Sequence, residues 1–198
     1  MDSVKKIGKV LSIIARVIFR IALAGAIVCA VCAVVCAFFD SAFSVAGEYT
    51  FSLGGLDIEL SPDYEFSLDL VRSRLVATLF IGAVECIFVA IIAKISERIL
   101  ASVRDEGPFT AGISQRIRTL AFVSLIGGAI VSVLDIIAEY IMIGMIDVRS
   151  LFVADSVAKI SYNLDMDMSF VGVFLVLYML SFVFRCGEEL QQQSDETL

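Results

Sequence analysis

Three carboxylates stand inside otherwise apolar stretches of this 198-residue chain: Glu85, Asp135 and Glu139. An ionisable group in hydrocarbon is costly, so it marks an ion or proton path by default, or else pairs with a neighbour. Glu85 lies about 11 residues, near 16 Å at 1.5 Å per residue, from the outer end of its run, close to the membrane midplane. No basic residue shares its level. It is either a proton or cation site or a carboxyl hydrogen-bonded to a neighbouring helix. Asp135 and Glu139 are four residues apart and share a helix face. They sit near the outer end of their run, on the side where Arg72 and Arg74 begin another, so an interhelical ion pair is expected, with a cation-entry site as the alternative. Cys29, Cys32 and Cys36 also share one face. Metal binding needs thiolates, which hydrocarbon disfavours, and the neighbouring Ala22, Gly25, Ala26, Ala30 and Ala33 point to close helix packing instead. Ser124, Gly128 and Ser132 make a second small-residue stripe.

These groups are positioned by elements that composition already suggests. Hydrophobic residues make up 59% of the chain and charged residues 19%, with mean hydropathy +0.94. Soluble domains run nearer roughly 45–50% and 25%, so the bilayer is the expected solvent. Histidine is absent, which excludes a Ser-His-Asp or Cys-His nucleophile and histidine-ligated metal, and no other catalytic constellation emerges; an enzyme is not expected. The net charge of −7 argues against direct nucleic-acid binding, and no cofactor is implied.

Four runs are long enough to cross about 30 Å of hydrocarbon as helices of roughly 20 residues: Ile21–Phe39, Leu75–Ala93, Leu120–Ile146 and Met168–Phe184. Helices are required because an open strand in lipid leaves backbone groups unpaired. A signal peptide is the alternative for the first run, but a cleavable apolar region of about 7–15 residues is shorter than this one. Lysine and arginine set the orientation. With the N-terminus inside, Lys5, Lys6, Lys9, Arg16, Arg20, Lys94, Arg98, Arg104, Arg116, Arg118 and Arg185 are cytoplasmic, against Arg72, Arg74, Arg149 and Lys159 outside. Both termini are therefore expected in the cytoplasm. Tryptophan is absent, so tyrosine and phenylalanine take its place near the interfaces.

The outer loops, about 40–71 and 147–167, alternate. Tyr49–Leu53 and Leu56–Leu60 flank Gly54-Gly55, which suits a two-residue hairpin turn. Further alternation follows at Tyr64, Phe66, Leu68 and Leu70, the last of which can equally open the second membrane helix, and again from Ile160 to Met168. An isolated hairpin is marginal, so strands from both loops are expected to form one antiparallel sheet, serving either as a lid or as an acidic ligand platform.

On the inner side, Ile95, Ile99 and Val103 continue the second helix until Gly107-Pro108 stops it. Thr110 is placed to cap a new helix carrying Ile113 and Ile117.

This corner, Glu106-Gly107-Pro108-Phe109-Thr110 followed by Arg116-Ile117-Arg118, resembles a bacterial family of four-span membrane proteins known as domain of unknown function 2975. The run from Phe184 through Gly187, Leu190 and Gln191 to Leu198 is similar to that family's ending, although Ala111-Gly112 replaces the acidic residues often found after the corner. The resemblance implies a bacterial inner-membrane protein without assigned activity. Because members are often encoded beside a small helix-turn-helix regulator, it also implies such a regulator as a cytoplasmic partner. The corner and tail offer Arg116, Arg118, Glu188, Glu189, Asp195 and Glu196 as one docking surface; topology alone is the competing reason for the basic residues.

The expectation is an all-α, four-helix transmembrane bundle with a small extracytoplasmic antiparallel β-sheet, in one domain spanning 1–198. Its helices run over about 10–39, 75–104, 110–146 and 168–190. Two functions are carried: a regulatory or sensory membrane protein coupled to a cytoplasmic partner, or a small cation or proton-linked transporter or channel using Glu85, Asp135 and Glu139. Against transport stand the lack of inverted repeats and of paired broken helices.

Overall fold

The computed structural model describes residues 2–38, 50–53, 56–59, 68–105, 107, 109–110, 112–145 and 168–196. Four long helices carry the chain: α1 (Asp2–Phe38), α2 (Leu68–Asp105), α3 (Ile113–Met145) and α4 (Ser169–Glu196). Both prolines, Pro62 and Pro108, fall outside them. Each helix is long and apolar enough to cross a membrane, an architecture compatible with a four-helix membrane bundle. Their surfaces agree with a lipid solvent: Ile21 and Met179 are 66% and 70% exposed. α4 continues past the expected end near 190, and in its added turns Gln192 Nε2 donates to Glu196 Oε1 at 3.1 Å, a supportive i,i+4 contact.

Two short strands, β1 (Thr50–Leu53) and β2 (Leu56–Glu59), pair antiparallel with Leu53 opposite Leu56 and Thr50 opposite Glu59. The alternation read between 160 and 168 falls almost entirely outside the described residues, so the larger sheet has no counterpart among them.

The helices gather into two compact units. One comprises Met1–Val28, Ala83–Val131 and Met168–Leu198, the other Cys29–Gly82 and Ser132–Asp167. The first is packed with small residues. Ala15, Ala22, Ala26, Ala83, Ala90, Ala93 and Ala121 are buried, whereas Ile113 and Ile117 are the large apolar residues buried there among those described. Lipid removes the hydrophobic drive between helices, and small side chains let backbones approach closely enough for dispersion to replace it.

The glycines show how tight that approach is. A Cβ built on Gly128 would lie 2.3 Å from Phe170 Cβ, and one on Gly127 2.7 Å from Phe88 Cδ1. Gly128 of α3 is therefore a point of close contact with α4. Cysteines fill similar niches: Cys86 Sγ lies 3.3 Å from the Cβ position of Gly25. In the second unit, Cys29 Sγ lies 3.9 Å from that of Gly82.

In the second unit the ends of α1 and α2 are tied by Arg72. Its Nε donates to Cys36 O at 2.9 Å, and its Nη2 donates to Ala37 O. These are carbonyls of the last described turn of α1, where the negative end of the helix dipole lies. The expected ion pair is therefore corrected: among the described residues neither Arg72 nor Arg74 bridges Asp135 or Glu139. The α1 carbonyls offer Arg72 a nearer negative end.

Glycine at position 128 is required by Phe170, whose Cβ is fixed to its backbone and cannot swing away. Gly128→Ala is expected to lower stability in detergent by about 1–3 kcal/mol through overpacking. Gly172 has nothing within 4 Å of its Cβ position, so Gly172→Ala should be neutral or slightly stabilising. Thermal unfolding of both variants checks the contrast.

Candidate functional site

The corner between α2 and α3 and the C-terminal part of α4 meet in the first unit. Gly107 takes φ +110°, a left-handed conformation disfavoured for L side chains, and Gly112 takes +94°. Between them the chain turns from the end of α2 into α3. Thr110 Oγ1 donates to Gly107 O at 2.8 Å, while Thr110 O accepts from Ile113 N at 3.3 Å. Thr110 thus closes the corner. It does not cap α3.

The cap comes from α4. Arg116 N donates to Gly112 O at 3.2 Å, which makes Gly112 the N-cap residue of α3, and glycine has no side chain to offer the next free N–H groups. Glu188 supplies the acceptor, receiving Ser114 N on Oε1 and Ser114 Oγ on Oε2, each at 2.8 Å. A carboxylate there satisfies an otherwise orphan donor and meets the positive end of the α3 dipole.

A second contact fixes Phe109. Its ring occupies the space above Gly187, where a Cβ would lie 2.3 Å from Phe109 Cδ1, and packs on Phe184 at 5.8 Å between centroids. Gly187 is therefore the seat for the corner's phenylalanine. Pro108 lies outside the described residues. Arg116 turns to α2, with Nη1 donating to Ser102 Oγ and, at 3.4 Å, to Arg98 O. Corner, α2 and α4 are thus joined by side chains that sequence reading assigned to a docking surface.

Beside this joint, a cleft of about 700 Å³ opens between α3 and α4. Tyr178 and Phe182, in T-shaped contact at 5.1 Å, line it, and behind them Tyr178 stacks on Phe174, whose ring centre is 5.5 Å from that of Phe122. Arg118 lies over the rings of Phe122 and Tyr178 at 5.9 and 5.7 Å. Arg185 pairs with Glu189 at 3.1 Å on the opposite wall. Gln191 also lines the cleft, while Leu190 is 68% exposed. The arrangement offers hydrogen-bond donors, acceptors and aromatic faces side by side.

The carboxylates read as intramembrane sites do not join this cleft. Glu85 is exposed on α2 and belongs to the first unit. Among the described residues it makes no hydrogen bond or ion pair, so the expected bond to a neighbouring helix has no counterpart. Asp135 is exposed and Glu139 half-buried, and both belong to the second unit.

The carboxylate that is buried and paired was missed by sequence reading. Glu97 of α2, with its side chain 10% exposed, takes Arg16 Nε of α1 at 2.8 Å on one oxygen and Lys94 Nζ at 2.8 Å on the other. Lys94 also lies 5.3 Å from the centre of the Phe19 ring. Two cations supply the countercharge that a buried carboxylate needs. The i,i+3 spacing of Lys94 and Glu97 is visible in sequence, but the partner on α1, 81 positions away, is not.

Comparison with protein-family models, curated proteins and solved structures gives no match.

Removing Glu188 leaves the first turn of α3 uncapped. Glu188→Ala is expected to cost about 1 kcal/mol and to speed amide exchange at residues 113–115, with α1 unaffected. At the other clasp, Glu97→Arg places three cations together and should strongly destabilise the protein. Arg16→Glu introduced alongside should recover part of the lost thermal stability.

Proposed function

We propose that this chain is a regulatory or sensory protein of the bacterial cytoplasmic membrane, with both termini inside, which couples its outer face or the bilayer to a cytoplasmic partner. The partner suggested by the family resemblance is a small helix-turn-helix regulator. One observation carries the reading: the corner and the C-terminal helix, far apart in sequence, form a single joint through Phe109 on Gly187 and Glu188 on Ser114. Exposed around that joint are Phe109, Leu190 and Gln191, a mixed apolar and polar surface of the kind that receives a partner. We read the hairpin β1–β2 as part of an extracytoplasmic sheet completed by the second outer loop, which acts as a lid over the helix ends. No catalytic role is assigned.

Transport through Glu85, Asp135 and Glu139 is the competing class. It gains no support from the carboxylates, since none of them lines the cleft.

Affinity capture of the full chain in mild detergent should recover a small regulator. Leu190→Asp combined with Gln191→Arg, both on the exposed face of α4, should reduce that capture at least about tenfold, the effect of losing roughly 1.4 kcal/mol of binding, while the helical circular dichroism signal stays unchanged. Failure to capture any regulator, or capture unaltered by the double variant, would refute the reading. Reconstituted vesicles showing Glu85-dependent cation or proton flux would favour transport instead.

A further inference from the structure

We propose that the cleft between α3 and α4 binds the headgroup of an aminophospholipid, with the phosphate at Arg118 and Arg185 and the ammonium at Glu189. The argument begins with depth. Arg118 is the last charge before the apolar run of α3, and Arg185 is the first after that of α4. Both line the same cleft, so the cleft carries two cations at the hydrocarbon boundary, the level of lipid phosphates. Basic pockets between helices at this level receive lipid headgroups.

The state of each arginine suits an anion. Arg118 is exposed, and its guanidinium face lies on Phe122 and Tyr178. Among the described residues it donates no hydrogen bond, which leaves its in-plane N–H fork for a phosphate. Arg185 is held by Glu189 alone among the described residues, in an exposed i,i+4 pair with side chains 66% and 59% open. Such surface pairs are weak and open readily to a stronger acceptor.

The rest of the cleft has the polarity of a phospholipid read from chain to head. Inward of Arg185 along α4, Phe182 and Tyr178, the latter under the Arg118 guanidinium, present an aromatic wall for the upper acyl chain. Beyond them, Glu189 is one helical turn, about 6 Å, further out than Arg185. Anion site followed by carboxylate matches a phosphate followed by an ammonium. A primary ammonium carries three N–H donors for that carboxylate; a choline headgroup carries none. The volume of about 700 Å³ lies within the usual range for a small-molecule site. The second acid at this level, Glu188, is engaged by Ser114, so Glu189 is the carboxylate that discriminates. The site needs only a membrane-spanning chain and is independent of any regulator.

Native mass spectrometry of the full chain in mild detergent tests this with phosphatidylethanolamine, phosphatidylglycerol and phosphatidylcholine of identical chains, and with glycerophosphoethanolamine as the chain-free head. The expected result is preferential retention of phosphatidylethanolamine. Replacing both Arg118 and Arg185 by Ala should weaken that retention about tenfold or more. Glu189→Gln, an exposed change that leaves the fold intact, should erase the preference over phosphatidylcholine. Equal retention of phosphatidylethanolamine and phosphatidylcholine by the unaltered chain, or a preference surviving Glu189→Gln, would overturn the proposal. Binding of glycerophosphoethanolamine as tight as that of the lipid would assign the cleft to a soluble phosphoester and overturn the lipid source.

Discussion

Every feature described depends on one constraint: in hydrocarbon the backbone must satisfy itself, and once it has done so the helices gain nothing by hiding apolar surface from lipid. Contact between them must come from close approach and from polar groups that find partners. The first unit uses both. Alanine fills its core, and Gly128 admits Phe170 so closely that a methyl group has no room. At the helix ends, the Glu97 clasp and the Glu188 cap use charge where apolar packing gives out.

The polar ties share a logic. Helix termini leave unpaired N–H groups at one end and carbonyls at the other, and an adjacent helix can satisfy them with a charged side chain of the right sign. Glu188 of α4 does this for the start of α3, and Arg72 of α2 does it for the end of α1. Each tie joins elements whose connection through the chain is long or bent. The corner at Gly107 is held by its own hydrogen bond from Thr110, by Phe109 seated on Gly187, and by Arg116 on α2.

The same partition bears on function. Residues of the corner and of α4 hold each other in place: Gly187 is a seat, Arg116 a strut and Glu188 a cap. Those left to meet another molecule are Leu190, Gln191 and the walls of the cleft. The isolated carboxylates Glu85 and Asp135 remain on exposed helix faces, a costly arrangement in lipid that places the interest of these residues at the outer surface of the helices rather than in their core.

The sequence by itself determined four helices, their apolar lengths, the break at Gly107-Pro108 and the pairing of Thr50–Leu53 with Leu56–Glu59. These are set by local rules: hydropathy over about 20 residues, backbone freedom at glycine and alternation around a two-residue turn. Only the tertiary structure decided that Arg72 serves the carbonyls of α1 rather than Asp135 or Glu139, that Thr110 leaves the capping of α3 to Glu188, and that Glu97 is the carboxylate paired in the interior. Each choice depends on which helix faces which and at what depth. Apolar faces in lipid are interchangeable, so no pattern within one helix specifies its neighbour; side-chain volume at Gly128 and Gly187, and opposite charges brought together in space, make that selection.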